Sequence, residues 1–164
     1  MSHDHGSDAP QQAKVLTVSD GVVAGTRDDV SGRALVEQLT SAGFEVVAHE
    51  VTADGAEAVA TALARLSSDF AGLVVTTGGT GFAPRDQTPE GTRAVVEREA
   101  PGLAEAMRLV SPHGRLSRGV AGIRGTTIIC NTPGSPQGCV EQLGAVLDVL
   151  PHALRLLLDQ PTSH

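Results

Sequence analysis

The sequence predicts a single α/β domain in which helices cover both faces of a mostly parallel β-sheet, as in a three-layer α/β/α sandwich. Short, β-branched apolar runs alternate with segments of helical spacing along the chain, and loops rich in glycine, proline and hydroxyl residues follow those runs. No repeat or linker divides the 164 residues, which suffice to bury a core. We therefore expect one domain over residues 13–164, preceded by a disordered polar tail over residues 1–12.

The first half of the chain predicts two strands, each followed by a helix. The apolar run at 14–19 predicts a strand that leads through a polar loop to a helix, which we expect Ser31 to cap and Gly43 to end. Residues 44–51 alternate as in a second strand. The helix after it carries its apolar positions at Val59, Leu63 and Leu66.

The middle of the chain predicts a third strand, at 70–75, that enters a glycine-rich loop. We expect Thr88 to cap the next helix, Pro89 to occupy its first position, and the helix to reach about Glu99. A short helix should follow, with three apolar side chains turned inward. These are Leu103, Met107 and Val110.

The last third predicts a fourth strand at 126–130, apolar enough to lie centrally in the sheet. A Pro-Gly turn leads to a helix with Ser135 as N-cap and Pro136 at its first position. Pro151 should interrupt that helix. The strand and turn repeat the arrangement at the third strand, and the two loops could therefore face one ligand.

The loop after the third strand carries the main functional prediction. Gly78, Gly79 and Gly81 let the backbone take positive φ and leave no Cβ to shield the amides, so that successive N–H groups can converge on an anion. A Walker A loop is excluded because Lys14 is the only lysine, and a dinucleotide fingerprint because Pro84 stands where a third small residue is needed. A tight connection is the plainer interpretation. The length of the loop, its threonines and the pair Arg85-Asp86 favour a phosphate or carboxylate cradle made of amides, Arg85 and a metal ion.

Composition narrows the classes of partner and compartment. A formal charge of -7 and only 2% aromatic residues argue against nucleic acid. Cys130 and Cys139 have no metal-ligand spacing and fit buried thiols in a reduced compartment. No signal peptide or long apolar run suggests a membrane, and we therefore expect a cytoplasmic protein.

These motifs resemble the MoaB/Mog family of molybdenum-cofactor biosynthesis proteins, which includes the G domain of gephyrin-like proteins. The resemblance runs from Lys14 onward and rests on Thr-Thr-Gly-Gly-Thr-Gly at 76–81, Arg-Asp at 85–86, Thr-Pro-Glu at 88–90 and Pro-Gly-Ser-Pro at 133–136. It implies a molybdopterin-binding fold and molybdopterin adenylyltransferase activity, in which ATP and molybdopterin give adenylyl-molybdopterin and pyrophosphate with Mg²⁺. Thr132 replaces the leucine usual before the Pro-Gly turn.

The resemblance also implies roles for individual residues. The two functional acids fall on Asp54 and Asp86, which as hard oxygen ligands could hold Mg²⁺. Each acid also has a plainer interpretation: Asp54 as a charge near a helix N-terminus, Asp86 as such a charge or a salt bridge with Arg85. Ser117 and Arg118 resemble part of the pterin side, though the residues alone leave them as either surface groups or anion contacts. The expected nucleotide, phosphate and other substrate contacts are Ser19, Asp20, Thr76, Gly78, Gly79, Thr80, Gly81, Arg85, Asn131, Pro133, Gly134, Ser135 and Pro136.

The family further implies a homo-oligomer, a trimer or hexamer, and a molybdate-inserting enzyme as a partner. Three alternatives stay open on the sequence. They are a CinA-type nucleotide hydrolase of similar fold, a domain for the molybdate-inserting step, and a paralogue that binds molybdopterin without adenylating it. Retention of both aspartates favours the enzyme.

Overall fold

A computed structural model describes residues 9–160, which form a six-stranded sheet with helices on both faces. The strands are β1 (Gln12–Val18), β2 (Glu45–Thr52), β3 (Gly72–Thr77), β4 (Arg98–Glu99), β5 (Ala121–Arg124) and β6 (Thr127–Thr132). The helices are α1 (Asp20–Val23), α2 (Val30–Ser41), α3 (Ala56–Leu66), α4 (Thr88–Val95), α5 (Pro101–Arg108), α6 (Pro136–Gly144) and α7 (Leu150–Leu157), with a 3₁₀ turn at Pro112–Leu116.

The sheet order is β2-β1-β3-β6-β5-β4. The first four of these strands run parallel to one another. At one edge, β5 pairs antiparallel with β6, and β4 pairs antiparallel with β5. Parallel strands joined through helices place their carboxyl ends at one edge of the sheet, where the loops after β1, β2, β3 and β6 gather.

Two apolar layers confirm the sandwich. Leu73 and Val75 of β3 belong to a buried cluster with α2, α5, α6 and α7, whereas Val74 belongs to a second cluster with α3. This alternation follows from the two-residue period of a strand. All six residues of β3 are buried, because helices cover both of its faces.

The N-caps predicted for the helices were only partly correct. Ser135 caps α6 as predicted: its side chain accepts a hydrogen bond from Gly138 N. The prediction that Ser31 caps α2 was wrong, since Asp29 is the N-cap and accepts from Gly32 N at 3.0 Å. The Ser31 hydroxyl instead donates to the Gly134 carbonyl, which ties α2 to the loop before α6.

The predictions for α4 were also wrong at both ends. Gln87 holds the N-cap position without a capping side-chain bond. Thr88 is already helical, and its hydroxyl donates to Gly78 O at 2.9 Å instead of capping the helix. The helix ends at Val95, well before Glu99. Residues 98–99 instead pair with β5 as β4, and this pairing draws them out of the helix.

Several further boundaries differ from the sequence expectations. The loop after β1 contains the short helix α1, which Ser19 caps. Strands β4 and β5 were not predicted. Val110 lies beyond the end of α5 and is 43% exposed, in contrast to the inward position expected for it. Pro151 opens α7 in its first turn and does not interrupt a helix; the break falls earlier, after Gly144.

The predicted disordered tail falls largely on residues 1–8, which lie outside the described range, and Gln12 already belongs to β1. Across residues 9–160, no helix has the length and apolarity needed to cross a membrane.

Candidate active site

A cleft of about 880 Å³ lies at the carboxyl edge of the parallel strands. It brings together loops that follow β1, β2, β3 and β6, as the two-loop prediction required. The predicted site residues that line it are Ser19, Asp54, Gly78, Gly79, Thr80, Gly81, Asp86, Ser117, Pro133, Gly134, Ser135 and Pro136.

The glycine loop on the floor of the cleft is built around two residues in the left-handed region. Gly78 has φ +104° and Gly79 φ +70°. A Cβ atom at Gly78 would collide with the Val18 carbonyl, and one at Gly79 with the Thr88 hydroxyl. Both positions therefore require glycine. Gly81, which could also take positive φ, does not do so.

The loop is anchored at its ends and leaves its middle amides available. Gly78 N donates to Thr132 O at 3.1 Å, and Thr88 N donates to Gly79 O at 3.0 Å. Within the described part of the chain, the amides of Gly79, Thr80 and Gly81 donate no hydrogen bond. Such unpaired amides in a concave loop suit an anion.

Asp54 enters the cleft from the loop between β2 and α3, and Asp20 fixes it there. Asp20 N donates to Asp54 Oδ2 at 2.9 Å, while Asp54 N donates to Asp20 Oδ1 at 3.1 Å. Arg85 Nε donates to the second oxygen of Asp20 at 2.8 Å. This bond lowers the pKa of Asp20 below its usual value, with the amide of Asp54 as a smaller cause. Three separate loops are thus joined around Asp54.

Asp86 enters from the glycine loop itself. Its Oδ2 accepts a hydrogen bond from Ala83 N at 3.0 Å, so the carboxylate closes the turn at 83–86. Arg85 pairs with Asp20 and not with Asp86, which contradicts the alternative interpretation of Asp86 as the salt-bridge partner of its neighbour.

The two carboxylates have the oxygen-donor chemistry that could hold a magnesium ion. They line one cleft, and Oδ1 of each accepts no hydrogen bond from residues 9–160. The described residues contain no group of three or more His, Cys, Asp or Glu side chains able to hold a metal ion by themselves. Mg²⁺ is commonly held by one or two carboxylates together with phosphates and water, and this donor set matches that pattern.

The loop between β6 and α6 forms the opposite wall. Thr77 Oγ1 donates to Pro133 O at 2.7 Å, and the Ser31 hydroxyl contacts Gly134 O. The helix N-terminus behind this loop faces the cleft with Pro136 and Gly138 among the lining residues.

Two predicted contacts, Thr76 and Asn131, lie in the interior. They are 0% and 2% exposed, and neither lines the cleft. The Asn131 amide donates to the hydroxyls of Thr76 and Thr92, each at 3.0 Å, and its oxygen accepts from Val120 N. The pair therefore supports the glycine loop from below, and direct substrate contact by either residue stays a prediction.

Arg118 also lies outside the cleft lining, as do Asp20 and Arg85. Its guanidinium donates to the carbonyl oxygens of Gly81 and Asp86 and to the carboxylate of Glu90. Arg118 thus supports the glycine loop from behind through hydrogen bonds to its carbonyl oxygens. Its predicted contact with the pterin, like the roles of Asp20 and Arg85, is untested.

Sequence reasoning missed a polar cluster on the β1 side of the cleft. Thr17 Oγ1 donates to both oxygens of Asp29 at 3.0 and 2.9 Å, and His49 Nε2 lies 2.8 Å from Asp29 Oδ2. Thr17 and Asp29 line the cleft. Thr17 lies on β1 and His49 on the neighbouring strand β2, so the sheet brings these two groups together. The only sign of this in the sequence was the two-residue period of the strands at Thr17 and His49.

Comparison with known proteins agrees with this architecture. Residues 14–152 match the family model described as a probable molybdopterin binding domain. A molybdopterin adenylyltransferase from Helicobacter pylori is 38% identical over 151 residues, spanning 88% of this chain and 86% of the relative. Gephyrin from Dictyostelium discoideum is 37% identical over 91% of this chain, which corresponds to 23% of its own length.

The crystal structure of the molybdopterin biosynthesis enzyme MoaB from Thermus thermophilus superimposes with a TM-score of 0.86. The two are 47% identical, and the alignment covers 93% of this chain and 99% of that one. The chain belongs to the probable molybdopterin binding domain family, as the sequence motifs predicted.

Proposed function

We propose that this protein is a molybdopterin adenylyltransferase, which transfers AMP from ATP to molybdopterin and releases pyrophosphate. The observation that carries the proposal is the convergence of Asp54 and Asp86, from separate loops, on the cleft that holds the unpaired amides of 79–81. Relatives named for this activity are similar over most of the chain.

In this reaction a phosphate oxygen of molybdopterin attacks the α-phosphorus of ATP, a new phosphoanhydride bond forms, and the bond to the β-phosphate breaks. The attacking oxygen is already ionised at neutral pH, so a general base gains little. The main barrier is repulsion between two polyanions, and positioning with charge neutralisation must overcome it. The cleft suits this task because it offers unpaired backbone amides that can bind phosphate oxygens, together with two carboxylates that could hold Mg²⁺.

Different groups of the chain would bind the phosphates, hold the metal ion and orient its ligands. The amides of Gly79, Thr80 and Gly81 would bind phosphate oxygens, and the loop at 133–136 would close the other side of the substrate. Asp54 and Asp86 would hold Mg²⁺, which when bound neutralises phosphate charge and stabilises the departing pyrophosphate. Asp20 would orient Asp54 through the reciprocal bonds between them.

We further propose that the protein acts in the cytoplasm as a homo-oligomer, a trimer or hexamer, and passes its product to a molybdate-inserting enzyme. Two free, buried cysteines, Cys130 and Cys139, support a reducing compartment. Exposed apolar side chains support self-association: Phe82, Leu109 and Leu116 are 70%, 84% and 55% exposed.

Product analysis tests the proposed activity. Purified protein incubated with molybdopterin and Mg-ATP should yield adenylyl-molybdopterin by mass spectrometry and an equal amount of pyrophosphate, and EDTA should abolish both. Tight binding of molybdopterin with no adenylyl product would instead identify a non-catalytic carrier.

A further inference from the structure

The cleft contains an imbalance of charge. Four carboxylates line it, those of Asp28, Asp29, Asp54 and Asp86, whereas Arg27 is the only lysine or arginine among the described residues that do so. Both substrates of the proposed reaction carry phosphate. An acidic cleft can bind them only if positive charge is supplied locally.

Neighbouring arginines are already engaged. Arg85 is paired with Asp20 at 2.8 Å, and Arg118 with Glu90 at 2.8 Å. Asp28, the residue next to Arg27, is bound through both oxygens by Arg33 at 2.9 and 2.7 Å. Arg27 itself forms no ion pair within residues 9–160. Its guanidinium is therefore available to a ligand.

The main chain holds Arg27 in a defined place although its side chain is exposed. Arg27 N donates to Gly21 O at 3.1 Å, and the backbone N and hydroxyl of Thr26 donate to the same oxygen at 3.0 and 3.2 Å. The Cβ of Arg27 lies so close to Gly21 that a Cβ added there would be 3.2 Å away. The side chain thus starts from a fixed point at the rim of the cleft.

The other carboxylate beside it, that of Asp29, is also hydrogen-bonded by its own partners. Asp29 accepts hydrogen bonds from Thr17 Oγ1 and Gly32 N and contacts His49 Nε2. Charge-assisted bonds of this kind satisfy the carboxylate where it is. Arg27 is consequently not needed to balance either aspartate that follows it.

We propose that Arg27 binds a phosphate group of a substrate in the cleft, either the triphosphate of ATP or the phosphate of molybdopterin. This inference rests on the proposed function, since that reaction defines the two phosphate-bearing ligands. A planar guanidinium is suited to such a contact because it can donate two parallel hydrogen bonds to phosphate oxygens.

The test is equilibrium binding of Mg-ATP and, separately, of molybdopterin to wild-type protein and to Arg27→Gln, Arg27→Lys and Arg155→Gln. Loss of one exposed, charge-assisted contact should raise the Kd for one substrate roughly three- to tenfold in Arg27→Gln. Arg27→Lys should recover part of that loss. Arg155→Gln removes the same charge from α7, outside the cleft lining, and should bind as wild type does.

The affected substrate identifies which phosphate Arg27 contacts. Raising the salt concentration should narrow the difference between wild type and Arg27→Gln, because screening weakens an exposed ionic contact. Wild-type affinity of Arg27→Gln for both substrates would overturn the proposal. Because binding is measured without turnover, that result is separate from a failure of the wild-type protein to form product, which would count against the proposed function alone.

Discussion

Arg118 and Glu90 form a two-bond ion pair behind the glycine loop, with Nη1 2.8 Å from Oε2 and Nη2 3.1 Å from Oε1. The same guanidinium donates to the carbonyls of Gly81 and Asp86, and Arg118 N donates to Thr80 O at 2.8 Å. The pair therefore joins α4 to the loop that carries Asp86. The guanidinium also lowers the pKa of the Glu90 carboxyl, chiefly through these hydrogen bonds.

From this geometry we expect Arg118→Lys to lower kcat of the adenylyl transfer by at least about tenfold while changing KM little. A lysine retains the charge but cannot make the forked contacts, and a loop displaced by about 1 Å is costly to catalysis. Glu90→Gln should cause a smaller loss of the same kind. A rise in KM for molybdopterin with unchanged kcat would instead favour the direct pterin contact that the sequence resemblance implied.

Gly79→Ala should strongly reduce turnover, while the folded protein loses only part of its stability. The substitution adds a Cβ at φ +70° against the Thr88 hydroxyl, with a stability cost of about 1–3 kcal/mol, and shifts amides that face the cleft. Gly125→Ala is the matched control, because Gly125 also has positive φ, +56°, but an added Cβ meets nothing within 4 Å. Thermal unfolding and turnover of both variants check this prediction; equal losses of turnover would contradict it.

Asn131→Ala should destabilise the fold by about 1–3 kcal/mol. The change leaves Val120 N without its acceptor and two threonine hydroxyls without their donor in the interior. Chemical denaturation measures the effect. Full stability combined with weakened substrate binding would show that Asn131 contacts a ligand, as the sequence resemblance implied.

The Asp20–Arg85 contact should make part of the stability depend on pH. The pKa of Asp20 is lowered in the folded protein, so the contact stabilises the fold above the unfolded carboxyl pKa, about pH 4, and that contribution is lost as pH falls through the lower folded value. Wild type should thus be more stable than Asp20→Asn at pH 7, and the difference should shrink below about pH 4. Melting temperatures across pH 2–7 test this, and a difference that persists at the acid end would contradict it.

Several features set by neighbours in sequence were predicted. The cap at Ser135, the strand into the glycine loop and the left-handed Gly78 and Gly79 all depend on a few adjacent residues. The family resemblance assigned Asp54 and Asp86 to one site, and both line the cleft because parallel strands collect their loops at one edge.

Features set by distant partners were not predicted. Both Asp29 and Ser31 are suitable caps, and only the contact of Ser31 with Gly134 decides between them. Strand β4 has two residues and exists through its pairing with β5. Arg118 bonds to groups 28 to 37 positions away, which no local pattern specifies.

The central claim is that Asp86 serves catalysis in the cleft rather than the fold. The most direct measurement is the single-turnover rate of adenylyl-molybdopterin formation by wild type and by Asp86→Asn at saturating Mg-ATP, with melting temperatures in parallel. We expect the asparagine variant to melt near wild type and to react at least about a hundredfold more slowly, the scale for loss of one preorganised electrostatic group. An unchanged rate, or a loss that follows a lowered melting temperature, would contradict the claim.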